Sequence, residues 1–254
     1  MSNELERLIS IVKKLRAPDG CDWDNVQTSK SLTPYLLEEV YEVIEAIETE
    51  DLNLLKEELG DLLLHVIFQA EIANEENSFQ LSDSINHISD KLIARHPHIF
   101  SDSKDASYKK GNWELSKQSE KKRKYILEGV PINLPALTRA RRIQEKAASV
   151  GFDWDNVGQI FDKVHEEIDE LKEAIRDKND KNTFEEIGDS LFSIVNIARF
   201  LDYDSESALR GTIRKFENRF NQIEDHLKSR GKTFKESSLE ELDKIWNEIK
   251  KNEY

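Results

Sequence analysis

YLLEEVYEVIEAIETEDLNLLKEELGDLLLHVIFQA, residues 35–70, carries two apolar stripes joined by a short polar break. Leu36, Val40, Val43 and Ile47 form the first, and Leu55, Leu59, Leu62, Val66 and Ala70 the second. Both are spaced by threes and fours, the period of one helix face. Thr33-Pro34 reads as an N-cap followed by a proline in the first turn, and Glu50-Asp51-Leu52-Asn53 as a tight turn between antiparallel helices. No segment alternates convincingly, so the fold is predicted to be all-α. From Leu62 onward the second helix is apolar nearly all round, as is the stretch Leu191 to Leu201. Such a helix must be covered on several sides, more than one hairpin can do, which predicts four-helix-bundle-like packing between the halves or between subunits.

The same phrases return later in the chain. Glu38-Glu39-x-x-Glu42 aligns with Glu166-Glu167-x-x-Glu170, and Glu57-Glu58-Leu59-Gly60-Asp61 with Glu185-Glu186-Ile187-Gly188-Asp189, both at an offset of 128. CDWDNV at 21–26 returns as FDWDNV at 152–157, at an offset of 131. A loop ahead of the second acidic helix is therefore three residues shorter. A period this long indicates two duplicated domains, since solenoid repeats have periods of about 20 to 50 residues. The stretch 101–135 is polar and basic, with Gly111, Gly129, Pro131 and Pro135. The expected organisation is a helical domain over 1–115, a linker over 116–135 and a second helical domain over 136–254.

In each hairpin the carboxylates converge. Glu39 and Glu42 are three apart on one helix, Glu58 and Asp61 on the next, and residues so spaced share a face. Across an antiparallel hairpin, residues lie level when their numbers have a common sum, which sets Glu39 against Asp61 and Glu42 against Glu58. The second copy sets Glu167 against Asp189 and Glu170 against Glu186. Charges 4 Å apart repel by about 4 kcal/mol per pair at an effective dielectric constant of 20, so a cation belongs between them. All-oxygen ligation suits a hard ion such as Mg²⁺. Competing readings are a solvated acidic face and, for Glu186, a capping box with Thr183. Gly60 and Gly188 sit in the helix interior, where glycine costs about 1 kcal/mol relative to alanine. Close approach of a phosphate or backbone, or tight helix packing, would each account for them.

Each half then carries Lys-x-x-x-Arg (Lys91/Arg95 and Lys215/Arg219) and Trp-x-x-x-Lys (Trp113/Lys117 and Trp246/Lys250). Arginine and lysine are phosphate contacts, and tryptophan offers a flat surface for a base. Acid quartet, basic pair and aromatic, in that order twice, add up to a Mg²⁺-nucleotide pocket. Other chemistries lack their motifs: Gly231-Lys232-Thr233 has no upstream glycine at P-loop spacing, and His165 does not begin His-Glu-x-x-His. None of the six histidines follows a glutamate by three residues, as di-iron bundles require.

With 254 residues, 35% of them charged, and a net charge of −14, the chain is expected to be globular and to repel nucleic acid and anionic membranes. The single cysteine, Cys21, forms no intrachain disulfide, and the first residues lack the basic and apolar regions of a signal peptide. A cytoplasmic protein without a membrane span is expected.

The chain resembles the MazG family of nucleoside triphosphate pyrophosphohydrolases along nearly its whole length, in CDWDNVQTSKSLTPYLLEEVYEVIEAI, EELGDLLLHVIFQAEIA and KLIARHPHIF, then VGFDWDNV, KVHEEIDEL, EEIGDSLF, KFENRF and LDKIWNEIK. The resemblance implies tandem all-α domains, a homodimer, dependence on Mg²⁺ with Mn²⁺ able to substitute, and hydrolysis of (d)NTPs to the monophosphate and pyrophosphate, mainly in the C-terminal half. It implies that Glu167, Glu170, Glu186 and Asp189 hold metal, with Glu39, Glu42, Glu58 and Asp61 their N-terminal counterparts. Lys163, Glu185, Lys215, Arg219, Trp246 and Lys250 would contact nucleotide, and Lys91, Arg95, Trp113 and Lys117 would do so in the first half. Glu166, beside the quartet, is expected to orient the attacking water. Trp23 and Trp154 either plug the loop or wall a base pocket. The alternative function is a non-catalytic nucleotide sensor or a divalent-ion-binding interaction module.

Overall fold

The structure is a computed structural model and describes residues 2–100 and 124–252. Among these residues every regular element is a helix, and the chain divides into two compact units, Met1–Tyr108 and Lys109–Tyr254. The expected boundary at 115/116, Trp113 and Lys117 lie outside the described residues.

The first unit contains α1 (Ser2–Arg16), α2 (Thr33–Glu48), α3 (Leu52–Glu75), α4 (Leu81–Arg95) and the single turn α5 (Pro97–Phe100). Helices α2 and α3 form the hairpin, while α1 and α4 pack on α3. The core is Val12, Leu32, Ile67, Phe68 and Ile72. Helix α2 is entered differently from the expectation. Thr33 is already helical, the N-cap is Leu32 without a side-chain bond, and the Thr33 hydroxyl donates back to the Ser29 carbonyl at 3.2 Å. Burial of Leu32 in the core sets where the helix begins.

The second unit contains α6 (Ala136–Ala148), α7 (Val157–Arg176), α8 (Asp180–Phe200), α9 (Ser205–Ser229), a 3-10 turn (Phe234–Glu236) and α10 (Leu239–Asn252). Helices α7 and α8 form its hairpin, α6 packs on α8 and α9, and α9 pairs with α10 around Ile223, Leu227 and Ile245. The stretch 124–135 leads into α6 and touches it, the Ile126 carbonyl accepting from Lys146 Nζ at 3.1 Å.

Both hairpins turn in the same way. Glu50 and its repeat equivalent Lys178 take the left-handed conformation, at φ 58° and 53°. The next residue then caps the second helix: Asp51 accepts from the Asn53 and Leu54 amides at 2.9 and 3.1 Å, and Asn179 from the Asn182 amide at 3.2 Å. Because α8 starts at Asp180, Thr183 is interior and its amide donates to the Asn179 carbonyl at 2.8 Å. The Thr183–Glu186 capping box is thereby overturned, and Glu186 sits mid-helix.

The apolar stripes are not buried as the periodicity predicts. Ile47, Leu59 and Val66 are exposed, and α3 instead shelters Glu58, His65, Ile67, Phe68 and Ile72. Leu59, Leu63 and Val66 recur as Ile187, Leu191 and Ile194 on α8, and all six are between 41% and 51% exposed. Each hairpin carries more apolar surface than its own unit covers, and the carboxylates take the sheltered side. Among the described residues no helix is long and apolar enough to cross a membrane.

Loss of either hairpin cap, Asp51→Ala or Asn179→Ala, should lower stability by about 1 kcal/mol in urea unfolding. An unchanged midpoint would contradict the capping geometry.

Candidate active site

The carboxylates on the inner side of each hairpin lie close together. Glu39, Glu58 and Asp61 offer ligand oxygens within 4.8 Å of one another, as do Glu167, Glu170 and Glu186. Glu58 is only 8% exposed and Glu167 only 6%, while Glu170 and Asp189 are exposed, so the second cluster joins a buried carboxylate to solvent-facing ones. Burial raises the Glu39, Glu58 and Glu186 carboxyls above the ordinary range, and the neighbouring acids raise them further. After burial, the leading neighbour is Asp61 for Glu39, Glu42 for Glu58 and Glu170 for Glu186, the pairs set level across the hairpins. Asp189 adds to the charge around Glu186, so each quartet acts as one electrostatic unit. An all-oxygen, strongly anionic donor set of this kind fits a hard divalent cation.

Lys163, one turn before the second quartet, lies 2.8 Å from both Glu166 and Glu167. Its bonds to Glu166 first and Glu167 second hold the ammonium well above the usual lysine range. Glu166 therefore stands at the edge of the cluster, paired and solvent-facing, while Glu185 is exposed beside Lys181 at 3.7 Å. The first half differs here. Its counterpart to Lys163 is Tyr35, packed edge-on against Trp23 at 5.7 Å. His65 is buried there and points Nε2 at Glu39 from 3.8 Å. Burial lowers its imidazole below the ordinary histidine range. The equivalent residue in the second half is Ser193.

Beside the second quartet lies a cavity of about 390 Å³. Leu127, Ile143, Phe152, Trp154 and Phe192 form apolar walls; Gln144, Asn196, Lys163, Glu167 and Asp189 supply polar lining. Asp153, from the repeated Asp-Trp-Asp phrase, pairs with Arg199, and Arg199 Nε donates to Asn196 Oδ1 at 2.8 Å. Trp154 is thus a wall of the cavity as well as a loop residue. Its phrase was singled out by repetition alone. Gln144, Asn196 and Arg199 carried no motif, since each sits in an amphipathic helix whose pattern speaks only for packing.

In the first half larger side chains stand at two of the corresponding positions. Ala147 and Asn196, which both line the cavity, correspond by the repeat offsets to Arg16 and Phe68. The Arg16 guanidinium lies 5.1 Å over the Phe68 ring, forks onto Glu75 at 2.8 and 2.6 Å, and donates to the Asp24 and Gln27 carbonyls. Phe68 is part of the first unit's core. The acid cluster is duplicated and the side chains beside it differ.

The basic and aromatic residues occupy a different place. Lys215 is exposed on α9, Lys250 on α10, and Arg219 is only 6% exposed with its guanidinium 5.4 Å over Trp246. Phe216 packs on the same indole at 5.3 Å. None of these four predicted residues is among those lining the cavity, and Trp246 is in contact with Arg219 and Phe216. Lys91 and Arg95 sit half-buried on α4. Gly60 and Gly188 have no close neighbour: an added Cβ would meet nothing within 4 Å at either. Tight packing within the unit is overturned as their explanation, and both flank their site aspartate with open space.

A profile described as the MazG nucleotide pyrophosphohydrolase domain matches residues 27–100 and 157–223, once in each half. The chain is 49% identical over 247 residues to a Thermotoga maritima protein named nucleoside triphosphate pyrophosphohydrolase/pyrophosphatase MazG, covering 96% of this chain and 95% of the relative. It is 43% identical over 261 residues to the Escherichia coli K12 nucleoside triphosphate pyrophosphohydrolase, covering 99% and 98%. An uncharacterized Bacillus subtilis protein, YabN, is 44% identical over 256 residues, which span 99% of this chain and 52% of that protein.

Raised carboxyls bind protons more tightly folded than unfolded. Their stability contribution is present below the ordinary, unfolded carboxyl value and is lost as pH rises through the raised folded values. Mg²⁺ should therefore shift the urea midpoint more at pH 7.5 than at pH 5, because protons compete increasingly with the ion for the raised Glu39, Glu58 and Glu186 carboxyls as pH falls; equal shifts would contradict the geometry. Gly188→Ala should stabilise the second unit by about 1 kcal/mol in the same measurement, and a loss of stability would mean that this helix face is occupied.

Proposed function

The chain belongs to the MazG nucleotide pyrophosphohydrolase family, and on that premise we propose that it is a Mg²⁺-dependent hydrolase of (d)NTPs. The products are the (d)NMP and pyrophosphate, and the second unit carries the reaction. The observation that supports this most is the meeting of the second acid cluster with a cavity: Glu167 and Asp189 belong to both. The fit of charge, all-oxygen donors and an adjoining apolar space is what a metal-bound nucleotide requires.

Glu167, Glu170, Glu186 and Asp189 would hold the ion. When bound, Mg²⁺ supplies neutralisation of phosphate charge and makes a nearby water easier to deprotonate. Glu166 orients that water for in-line attack and takes its proton, and the Lys163 ammonium, 2.8 Å from Glu166, holds the carboxylate in place. The water oxygen bonds to the α-phosphorus, and the bridging α–β bond breaks with its electron pair leaving on pyrophosphate. Lys215 and Arg219, which are not part of the cavity lining, are proposed to offset the charge on this leaving group where it extends beyond the cavity. Trp246 acts through Arg219, whose guanidinium lies on its ring.

A second copy of the chain is proposed to cover the exposed stripe of Ile187, Leu191 and Ile194. Leu209, Ile213 and Phe216 on α9 are exposed as well. The Glu39, Glu42, Glu58 and Asp61 quartet is proposed to hold an ion without a nucleoside beside it, because Arg16 and Phe68 stand at the positions where Ala147 and Asn196 line the second unit's cavity.

Glu170→Gln or Asp189→Asn should cut pyrophosphate release from NTPs by about a hundredfold or more, with the helical circular dichroism intact. Substantial retained activity would overturn the assignment and favour a nucleotide-binding module without hydrolysis.

A further inference from the structure

Glu58, Asp61 and His65 stand at i, i+3 and i+7 on α3, so all three share one helix face. Glu39 meets that face from α2, offering an oxygen within 4.8 Å of ligand oxygens on Glu58 and Asp61. His65 is 8% exposed and aims Nε2 at the cluster, 3.8 Å from Glu39 Oε1. That separation is too long for a hydrogen bond. It suits two donor atoms on one ion, which lie between about 3 and 4 Å apart when each bond is about 2.1 Å. The charge of Asp61 reaches the ring as well. Nδ1 is enclosed without a hydrogen bond, which leaves Nε2 as the nitrogen that faces the acids. A buried polar ring held in this way is unfavourable unless something else engages it.

At the second cluster the repeat equivalent of His65 is Ser193, and the nitrogen present there is Lys163 Nζ, 2.8 Å from Glu167. An ammonium brings charge but no lone pair, so it cannot ligate. Carboxylates alone suit Mg²⁺, whereas an imidazole suits the divalent ions of the later first transition row, such as Fe²⁺, Co²⁺ and Zn²⁺. Resting on the proposal that the first quartet holds an ion, we infer that it forms a mixed nitrogen–oxygen site. His65 Nε2 joins carboxylate oxygens of Glu39, Glu58 and Asp61 as a donor, and the site selects a first-row transition-metal ion over Mg²⁺ more strongly than the second cluster does. The two halves thus carry metal sites of different chemistry, all-oxygen beside the cavity and imidazole-bearing in the first unit. A neutral ring that ligates through Nε2 keeps its proton on Nδ1, the enclosed nitrogen.

Calorimetry gives Kd for Co²⁺ and for Mg²⁺ on the full-length protein with one cluster silenced at a time. Glu167→Gln/Glu170→Gln leaves the first cluster, and Glu39→Gln/His65→Gln leaves the second. The Mg²⁺ to Co²⁺ ratio of Kd is expected to be about tenfold larger at the first cluster, and His65→Gln added to Glu167→Gln/Glu170→Gln should bring it down to the value at the second. A ratio within one protein does not depend on its folded fraction. Proton NMR of the first cluster loaded with Co²⁺ should show one strongly shifted imidazole N–H signal that is lost on exchange into D₂O and missing when His65→Gln is added. Equal ratios at the two clusters, a ratio unmoved by His65→Gln, or no shifted N–H signal overturns the inference. Pyrophosphate release by the unaltered protein with Mg²⁺ is measured alongside. Release in any of those cases leaves the hydrolysis reading standing; the expected ratios without release overturn that reading and keep the mixed site. Failure of the first cluster to bind either ion overturns both the inference and the proposal that this quartet holds an ion.

Discussion

Four carboxylates gathered on one side of a helix hairpin, one of them buried, repel one another, and the remaining architecture tolerates or answers that repulsion. Glu58 and Glu167 are buried in positions where a helix of this pattern would ordinarily place leucine. Burial first, and their acidic neighbours second, push Glu39, Glu58 and Glu186 toward holding protons. A protein shaped for stability alone would turn this face outward and bury Leu59, Leu63 and Val66. It does the reverse in both halves, exposing the same apolar stripe each time. Charge density is being kept at the expense of packing, as expected where a cation is to be held.

Duplication followed by unequal refinement explains the rest. The hairpin turn, with a left-handed residue followed by an Asx cap, and the acid cluster are common to both units. The surroundings are not. Lys163 stands where the first half has Tyr35, Ser193 where it has His65, and Ala147 and Asn196 where it has Arg16 and Phe68. Small and polar residues leave a cavity in one copy, and large ones make a core in the other. On the proposed reading, one unit keeps nucleoside and metal together and the other keeps only the charged half of the site.

Much of this was legible in the sequence because it is periodic. Threes and fours gave the helices, a repeat offset gave the duplication, and the level rule across a hairpin paired the acids as the electrostatics pair them. Burial was less legible, because Leu59 and Ile187 have the spacing of core residues and spacing does not say which side meets another helix. The capping box at Thr183 failed because Asn179, four residues earlier, caps first. The cavity was invisible for a different reason. It is made by what Ala147 and Asn196 do not fill, and by a glutamine whose amide is fixed by a backbone carbonyl on another helix; no local pattern reports either.

The two acid clusters are alike in charge and unlike in the side chains that adjoin them. Pyrophosphate release from a panel of NTPs and dNTPs, with and without Mg²⁺, should be compared for the whole protein, Glu39→Gln/Glu42→Gln and Glu167→Gln/Glu170→Gln. The account predicts Mg²⁺-dependent release that survives the first pair of substitutions and is lost with the second. Loss with the first pair and retention with the second would contradict it.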